Sequence, residues 1–148
     1  MLKQGIIGTI NTGDYAFKQS LVLLLLRVTV GAFMLSHGMG KFYKLFNDDP
    51  ISFPDPLGVG ATASLALTVF SEVLCSLFLI FGFMTRLASI PLIITMVVAA
   101  FIIHGQDEFG KKELALLYMV IYLAIGILGA GKYSIDQWLS KNFIKKNY

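Results

Sequence analysis

Long apolar stretches separated by short polar segments dominate the chain. Four of these stretches are nearly uninterrupted, and they cover residues 20–41, 57–83, 87–106 and 113–131. Crossing the roughly 30 Å hydrocarbon core of a bilayer takes about 20 helical residues, and each stretch comes close to that length. Helices are the expected form, because lipid offers no hydrogen-bond partner to an unpaired backbone group. The pattern predicts an all-α integral membrane protein whose four spans form a four-helix bundle.

The polar segments between the stretches indicate how the helices connect. The first, "NDDPISFPDPLGVG", is rich in Pro, Asp and Gly and is expected to be a loop. The turn "FGFMTRLAS" is very short, so the second and third helices should be antiparallel neighbours. After the fourth, Ser134 followed by Gln137 resembles a capping box, which predicts a short C-terminal amphipathic helix with Trp138 at headgroup level. Residues 1–148 are expected to form a single domain.

Composition supports the membrane assignment and adds an orientation. Apolar residues make up 56% of the chain, which is more than a soluble domain of this length can bury. The side that holds both termini and the short second loop carries the excess of Lys and Arg, so both termini are predicted to be cytoplasmic. Anionic lipid headgroups are expected partners of the basic tail, and nucleic acid is not. The first 20 residues lack a continuous apolar core, so we expect an interfacial segment rather than a cleaved signal peptide.

Two kinds of site are disfavoured by the sequence. Cys75 is the single cysteine, which excludes a thiol-oxidase mechanism that needs a resolving pair within this chain. The histidines, His37 and His104, come from different helices and lack a local metal-ligand spacing. We therefore expect no metal site.

Charged residues inside the apolar stretches are the strongest candidates for pairing. If each span is centred in the bilayer, Arg27 and Glu72 lie within about 5 Å of the midplane, on the same side. Gly31 and Gly38 share the helix face of Arg27, and small residues favour close packing of membrane helices. An Arg27–Glu72 ion pair is therefore predicted, with Tyr118 and Tyr122 of the fourth helix as supporting residues or ordinary packing residues.

A second polar cluster is expected toward the outer side of the membrane. It comprises His37, Lys41, His104 and Glu113, all of which fall near the outer ends of their helices. The cluster fits proton transfer or recognition of a polar headgroup or a quinone carbonyl. Alternatively, Lys41 and Glu113 extend to the headgroups while each histidine bonds a backbone carbonyl.

These segments resemble the DoxX family of small bacterial four-helix membrane proteins. The similarity lies in "LLLRVTVGAFMLSHGMGKF", "SEVLCSLFLIFGFMTRLASIPL" and "ELALLYMVIYLAIGILGAGKYSID", in this order, over roughly residues 20–138. The resemblance implies a multi-pass protein of the bacterial inner membrane. It also implies that certain residues are the family's polar positions, namely Arg27, His37, Lys41, Glu72, Arg86 and Glu113. Some members are subunits of thiosulfate:quinone oxidoreductases or partners in thiol and oxidative-stress systems.

Three functions follow as hypotheses. The first is a redox-linked subunit that binds a quinone or another lipophilic molecule and receives electrons from a partner protein, since the chain has no motif for haem, flavin or an iron–sulfur cluster. The second is a non-catalytic membrane scaffold or assembly partner. The third is a small transporter, which would need a homo-oligomer because the chain lacks an inverted repeat. Whether the protein is an enzyme, such as an oxidoreductase subunit, stays open at this point.

Overall fold

The computed structural model describes residues 17–47 and 50–145, with side chains described as far as Asn142. Five helices occupy most of these residues: α1 (Phe17–Leu45), α2 (Ala61–Phe81), α3 (Thr85–Ile103), α4 (Phe109–Leu128) and α5 (Ile135–Lys145). The described residues contain no strand, so the predicted all-α class is confirmed. The predicted interfacial segment falls almost entirely on residues 1–16, which lie outside the described part of the chain.

Three helices have the length and composition of membrane spans. They are α1 with 29 residues, α2 with 21 and α3 with 19. Helix α4 has 20 residues, but Lys111, Lys112 and Glu113 lie near its beginning. These charges distinguish α4 from the three candidate spans.

Helices α1 to α4 share one apolar core. Consecutive helices pack against each other, and α1 also contacts α4. The buried members of the core come from all four helices: Val30, Met34, Cys75, Leu79, Ala88, Leu92, Met96, Tyr118, Tyr122 and Ile125. A Cβ atom on Gly31 would lie 3.1 Å from the carbonyl oxygen of Ser76, which shows how closely α1 approaches α2. The predicted use of small residues at this interface is confirmed.

The helices meet at two ends, which we name for their connections. The turn end contains residues 82–84 and 129–134, and the loop end contains residues 50–60 and 104–108. At the turn end, Gly82 and Met84 have positive φ values of 68° and 46°, which reverse the chain between α2 and α3. Ser134 Oγ accepts a hydrogen bond of 3.2 Å from the Gln137 N–H and so caps α5, as predicted.

Two stretches depart from regular α-helix. Phe70–Cys75 within α2 and Val98–Ile103 at the end of α3 are π-helical. A π-helical turn accommodates an extra residue and often occurs at functional sites, because it turns side chains in directions that a regular helix does not allow.

Candidate functional site

A cavity of about 500 Å³ lies between α2 and α3 at the loop end. Ligand sites for small molecules commonly have volumes of roughly 300–1,000 Å³ and mostly apolar walls. The walls come from the first loop, α2, α3, the residue after α3 and one residue of α1: Phe53, Pro54, Pro56 and Leu57; Ser64, Leu67, Thr68, Phe70, Ser71 and Glu72; Pro91, Ile94, Thr95, Val98, Ala99 and Ile103; His104; and Lys41. We call this space the α2–α3 cavity.

The charged groups of the cavity are an ion pair between α1 and α2. Lys41 Nζ lies 2.5 Å from Glu72 Oε1. The Glu72 side chain is 4% exposed and the Lys41 side chain is 33% exposed, so the lysine is the member of the pair that reaches solvent or a ligand. Gly38 makes this approach feasible, because a Cβ atom there would lie 2.9 Å from the Glu72 Cβ. The pair thus depends on the small face of α1.

The predicted Arg27–Glu72 ion pair is wrong. Glu72 pairs with Lys41, and Arg27 binds backbone carbonyl groups instead. The contacts of Gly31 with Ser76 and of Gly38 with Glu72 fix the register of α1 against α2. In this register Arg27 lies about 11 residues, or about 16 Å, along α2 from Glu72. The prediction assumed that every span is centred at the same depth, whereas α1 extends beyond α2 at the turn end.

Arg27 belongs to a buried cluster at the turn end. Its guanidinium donates hydrogen bonds to the carbonyl oxygens of Ala130 at 3.0 Å and Tyr133 at 2.6 Å. These carbonyls follow the end of α4, where backbone acceptors lack partners within the helix. Asp136 adds an attractive charge and accepts hydrogen bonds from the N–H groups of Met84 at 2.7 Å and Thr85 at 3.0 Å. Arg27 and Asp136 therefore join α1, the start of α3 and the segment before α5.

The π-helical stretches supply much of the cavity wall. Phe70, Ser71 and Glu72 come from the first stretch, and Val98, Ala99 and Ile103 come from the second. Thr95 Oγ1 lies 2.9 Å from Ser71 Oγ and 2.9 Å from the carbonyl oxygen of Pro91, which links α2 to α3 across the wall. The coincidence of both irregular turns with one cavity supports a functional role for it.

The structure divides the predicted outer cluster. Lys41 and His104 both line the α2–α3 cavity. His37 does not line it; it is exposed on α1, and its ring contacts Tyr118 edge-on with centroids 6.3 Å apart. Glu113 is exposed and has no hydrogen bond or ion pair within the described part of the chain. The four residues do not converge on one site.

His104 is held at the cavity by an acidic neighbour. Its Nδ1 lies 2.8 Å from Asp107 Oδ2, and Lys111 lies 3.5 Å from the other carboxylate oxygen. The contact with His104, followed by the charge of Lys111, holds the pKa of Asp107 below its usual value. A negatively charged Asp107 favours a proton on Nδ1 and leaves the second ring nitrogen for other contacts.

The two tyrosines lie in the core that the helices share, and Tyr122 is fully buried. It stacks on Tyr118 with ring centroids 5.9 Å apart and an angle of 22° between the rings. The supporting role of Tyr118 and Tyr122 stays a prediction, and their place in the core accords with the alternative that they are ordinary packing residues.

Sequence reasoning did not single out three features of the structure: Asp136, Gly82 and the Ser71–Thr95 contact. For Asp136 the sequence contains a signal, since it closes the "GKYSID" segment quoted above. The other two depend on backbone geometry that hydropathy does not encode. Among the described residues, no group of three or more His, Cys, Asp or Glu side chains is arranged to hold a metal ion.

Comparisons with known proteins place these features in a family context. A family model described as DoxX matches residues 22–105. A protein of Haemophilus influenzae, described as uncharacterized, is 31% identical over 131 residues, covering 84% of this chain and 92% of its own. An uncharacterized membrane protein of Mycobacterium tuberculosis is 28% identical over 144 residues, covering 80% of this chain and 82% of its own. No solved structure matches the chain.

Proposed function

Because the chain belongs to the DoxX family, we propose that it is a bacterial inner-membrane protein that binds a lipophilic molecule with a polar head, such as a quinone, in the α2–α3 cavity. The observation that carries the proposal is an apolar cavity of about 500 Å³ with one ion pair in its wall. Apolar walls with a few placed polar groups are typical of small-molecule sites. Electrons for a redox reaction would come from a partner protein.

The exposed walls of the cavity support entry from the bilayer. Leu67, Phe70 and Ile94 line the cavity, and they are 56%, 47% and 55% exposed on the outer surfaces of α2 and α3. Lipid covers these surfaces if the two helices span the membrane. A ligand dissolved in the bilayer would then reach the cavity without passing through water.

Lys41 is the proposed contact for the polar head. A lysine ammonium has three N–H donors, and Glu72 Oε1 accepts one of them. The remaining donors suit a carbonyl oxygen of the ligand. His104 lines the same cavity and offers a second polar contact through the ring nitrogen that does not face Asp107.

The proposed topology has four spans with both termini in the cytoplasm. The uncharged part of α4, Leu114–Leu128, is about 22 Å long, so Lys111, Lys112 and Glu113 would extend to the headgroups at the loop end. Arg86, Lys132 and Lys141 lie at the turn end, which the positive-inside rule assigns to the cytoplasm. Labelling of single cysteines introduced at Ser52 and Lys132, in a Cys75→Ser background, tests whether these positions lie on opposite sides.

A single-tryptophan reporter tests binding directly. Trp138 lies in α5 beyond the turn end, so we would move the fluorophore with Trp138→Phe and Phe70→Trp. Titration with decylubiquinone, a short-tailed quinone, should quench the fluorescence of the relocated indole to saturation. Ala99→Phe fills the cavity and should abolish the saturable phase, whereas Ala32→Phe on the exposed face of α1 should not.

The polar contact has its own matched pair of variants. Lys41→Met should weaken quinone binding by about tenfold, the effect of one charge-assisted hydrogen bond. Lys132→Met, at an exposed residue of the turn end outside the cavity, should leave the affinity unchanged. Quenching that does not saturate, or that persists in Ala99→Phe, would contradict this binding site and favour the alternative that the protein is a non-catalytic scaffold.

A further inference from the structure

The α2–α3 cavity is lined by four side chains that carry a hydroxyl group. They belong to Ser64, Thr68, Ser71 and Thr95. A hydroxyl donates one hydrogen and accepts through two lone pairs. One that has already given its hydrogen to the protein can therefore only accept from a ligand. The partner of each hydrogen thus decides which ligands the cavity prefers.

The two hydroxyls near the start of α2 donate to fixed acceptors. Thr68 Oγ1 lies 2.8 Å from the backbone carbonyl oxygen of Ser64, and Ser64 Oγ lies 2.7 Å from Asp55 Oδ1. A carbonyl oxygen has no hydrogen to give, and an aspartate carboxyl is ionised at neutral pH. Thr68 and Ser64 are therefore the donors in these contacts, and neither has a hydrogen left for the cavity.

The contact between Ser71 and Thr95 has a single consistent assignment of hydrogens. Thr95 Oγ1 lies 2.9 Å from the carbonyl oxygen of Pro91 and 2.9 Å from Ser71 Oγ. Thr95 has one hydroxyl hydrogen, and the Pro91 carbonyl can only accept it. Both contacts are hydrogen bonds only if Thr95 donates to Pro91 and Ser71 donates to Thr95. Thr95 then keeps one lone pair, and no hydrogen, for a ligand.

The two threonines are the accessible members of this set. Thr68 and Thr95 are half-buried, whereas Ser64 and Ser71 are 7% and 1% exposed. Thr68 Oγ1 has two lone pairs left and Thr95 Oγ1 has one. The accessible hydroxyl oxygens of the wall are therefore acceptors, and the ammonium group of Lys41 supplies donors to the same cavity.

We propose that the cavity binds the hydroxyl-bearing form of a lipophilic ring compound, a quinol or a phenol, in preference to the form that carries carbonyl groups instead. Thr68 and Thr95 determine this specificity, because their oxygens accept the hydroxyl hydrogens of the ligand. A carbonyl oxygen there would meet only lone pairs unless a threonine gave up its bond to the helix backbone. Lys41 serves both forms, since an ammonium group donates equally to a hydroxyl or a carbonyl oxygen. The inference rests on the ligand cavity of the proposed function and names the class of ligand that it takes.

Calorimetric titration of the purified protein under argon tests the preference. Decylubiquinol should bind about tenfold more tightly than decylubiquinone, the ratio that one additional hydrogen bond gives. Thr68→Val and Thr95→Val keep the shape of the side chain and remove its oxygen. Each should reduce the ratio, and the double variant should bring it near one with the affinity for decylubiquinone unchanged. Thr62→Val, at an exposed residue of α2 outside the cavity, is the control and should keep the wild-type ratio.

A second pair of probes separates hydrogen donation from the other differences between the two redox forms. Para-nonylphenol and its methyl ether share ring and tail, but only the phenol donates a hydrogen, so it should bind more tightly. Equal affinities within both pairs, or a preference that survives in the double variant, overturn the inference. Saturable quinone binding without any preference would leave the proposed function intact. A preference for the phenol in a protein that binds neither quinone nor quinol would support the hydroxyl specificity and contradict quinone as the ligand.

Discussion

Replacing Lys41 by methionine removes the partner of a buried carboxylate. Glu72 is 4% exposed at its side chain, and its Oε2 atom has no partner among the described residues. Little of the carboxylate reaches the surface, so loss of the ammonium leaves it poorly solvated. Lys41 is 33% exposed and can extend to solvent when Glu72 is the residue removed. We expect Lys41→Met to destabilise the fold much more than Glu72→Met, although both break the same ion pair.

The size of the destabilisation follows from the cost of leaving a buried carboxylate without its partner. Removing one partner of a buried pair costs about 3–5 kcal/mol. Lys41→Met should thus cost about 3–5 kcal/mol, and Glu72→Met about 1 kcal/mol. The double variant replaces both charges by apolar groups and should lie within about 1 kcal/mol of the wild type.

Reversible unfolding in mixed micelles, followed by circular dichroism, measures these differences. Lys132→Met, at an exposed residue of the turn end, is the control and should stay within about 0.5 kcal/mol. Equal costs for the two single variants would refute the assignment of the ion pair.

Three further changes test the ends of the helices. Gly82→Ala should prevent accumulation of folded protein, because φ is +68° at this residue and the new Cβ would overlap Arg27 Nη1. Gly40→Ala is the control in the same expression assay and should fold normally, since a Cβ there meets no atom within 4 Å. Asp136→Ala should lower the free energy of unfolding by about 2–3 kcal/mol and speed amide exchange at the start of α3, because Asp136 accepts hydrogen bonds from the N–H groups there. Amide protection equal to that of the wild type would contradict its capping role. The hydrogen bond from the Ser64 hydroxyl is the main cause that holds the pKa of Asp55 below its usual value. The stability that Asp55 gives to the start of α2 is therefore present at neutral pH and is lost as pH falls through that lowered pKa. Ser64→Ala should raise the Asp55 titration midpoint in carboxyl-carbon NMR, and an unmoved midpoint would contradict this contact.

Hydropathy located the helices well because the bilayer sets their length. The predicted span 20–41 corresponds to Phe17–Leu45, and the predicted span 87–106 corresponds to Thr85–Ile103. The cap at Ser134 was also predictable, since it depends on residues that are close in sequence. Local patterns carry this information without reference to the rest of the fold.

The partners of the buried charges could not be predicted in the same way. Centring each span in the bilayer gave the wrong register, because α1 extends past α2 at the turn end. There its first turns pack on the segment after α4, as the 3.4 Å approach of Leu23 to the Cβ position of Gly131 shows. This displacement is a tertiary contact between distant parts of the chain. Hydropathy contains no information on such contacts, or on the π-helical turns that shape the cavity wall.

Arg27 and Lys41 have different roles in α1. They lie about 21 Å apart along α1, on similar faces. Arg27 lies beside Gly82, just past the end of α2, whereas Lys41 pairs with Glu72 near the middle of α2. Arg27 is 1% exposed and donates to fixed carbonyl oxygens, so it has no freedom to engage a ligand. Lys41 is one-third exposed, pairs with a carboxylate and lines a cavity. The turn end is therefore a rigid base that ties α1 to the start of α3, and the loop end is where a membrane-dissolved molecule would meet a group able to change its hydrogen bonds.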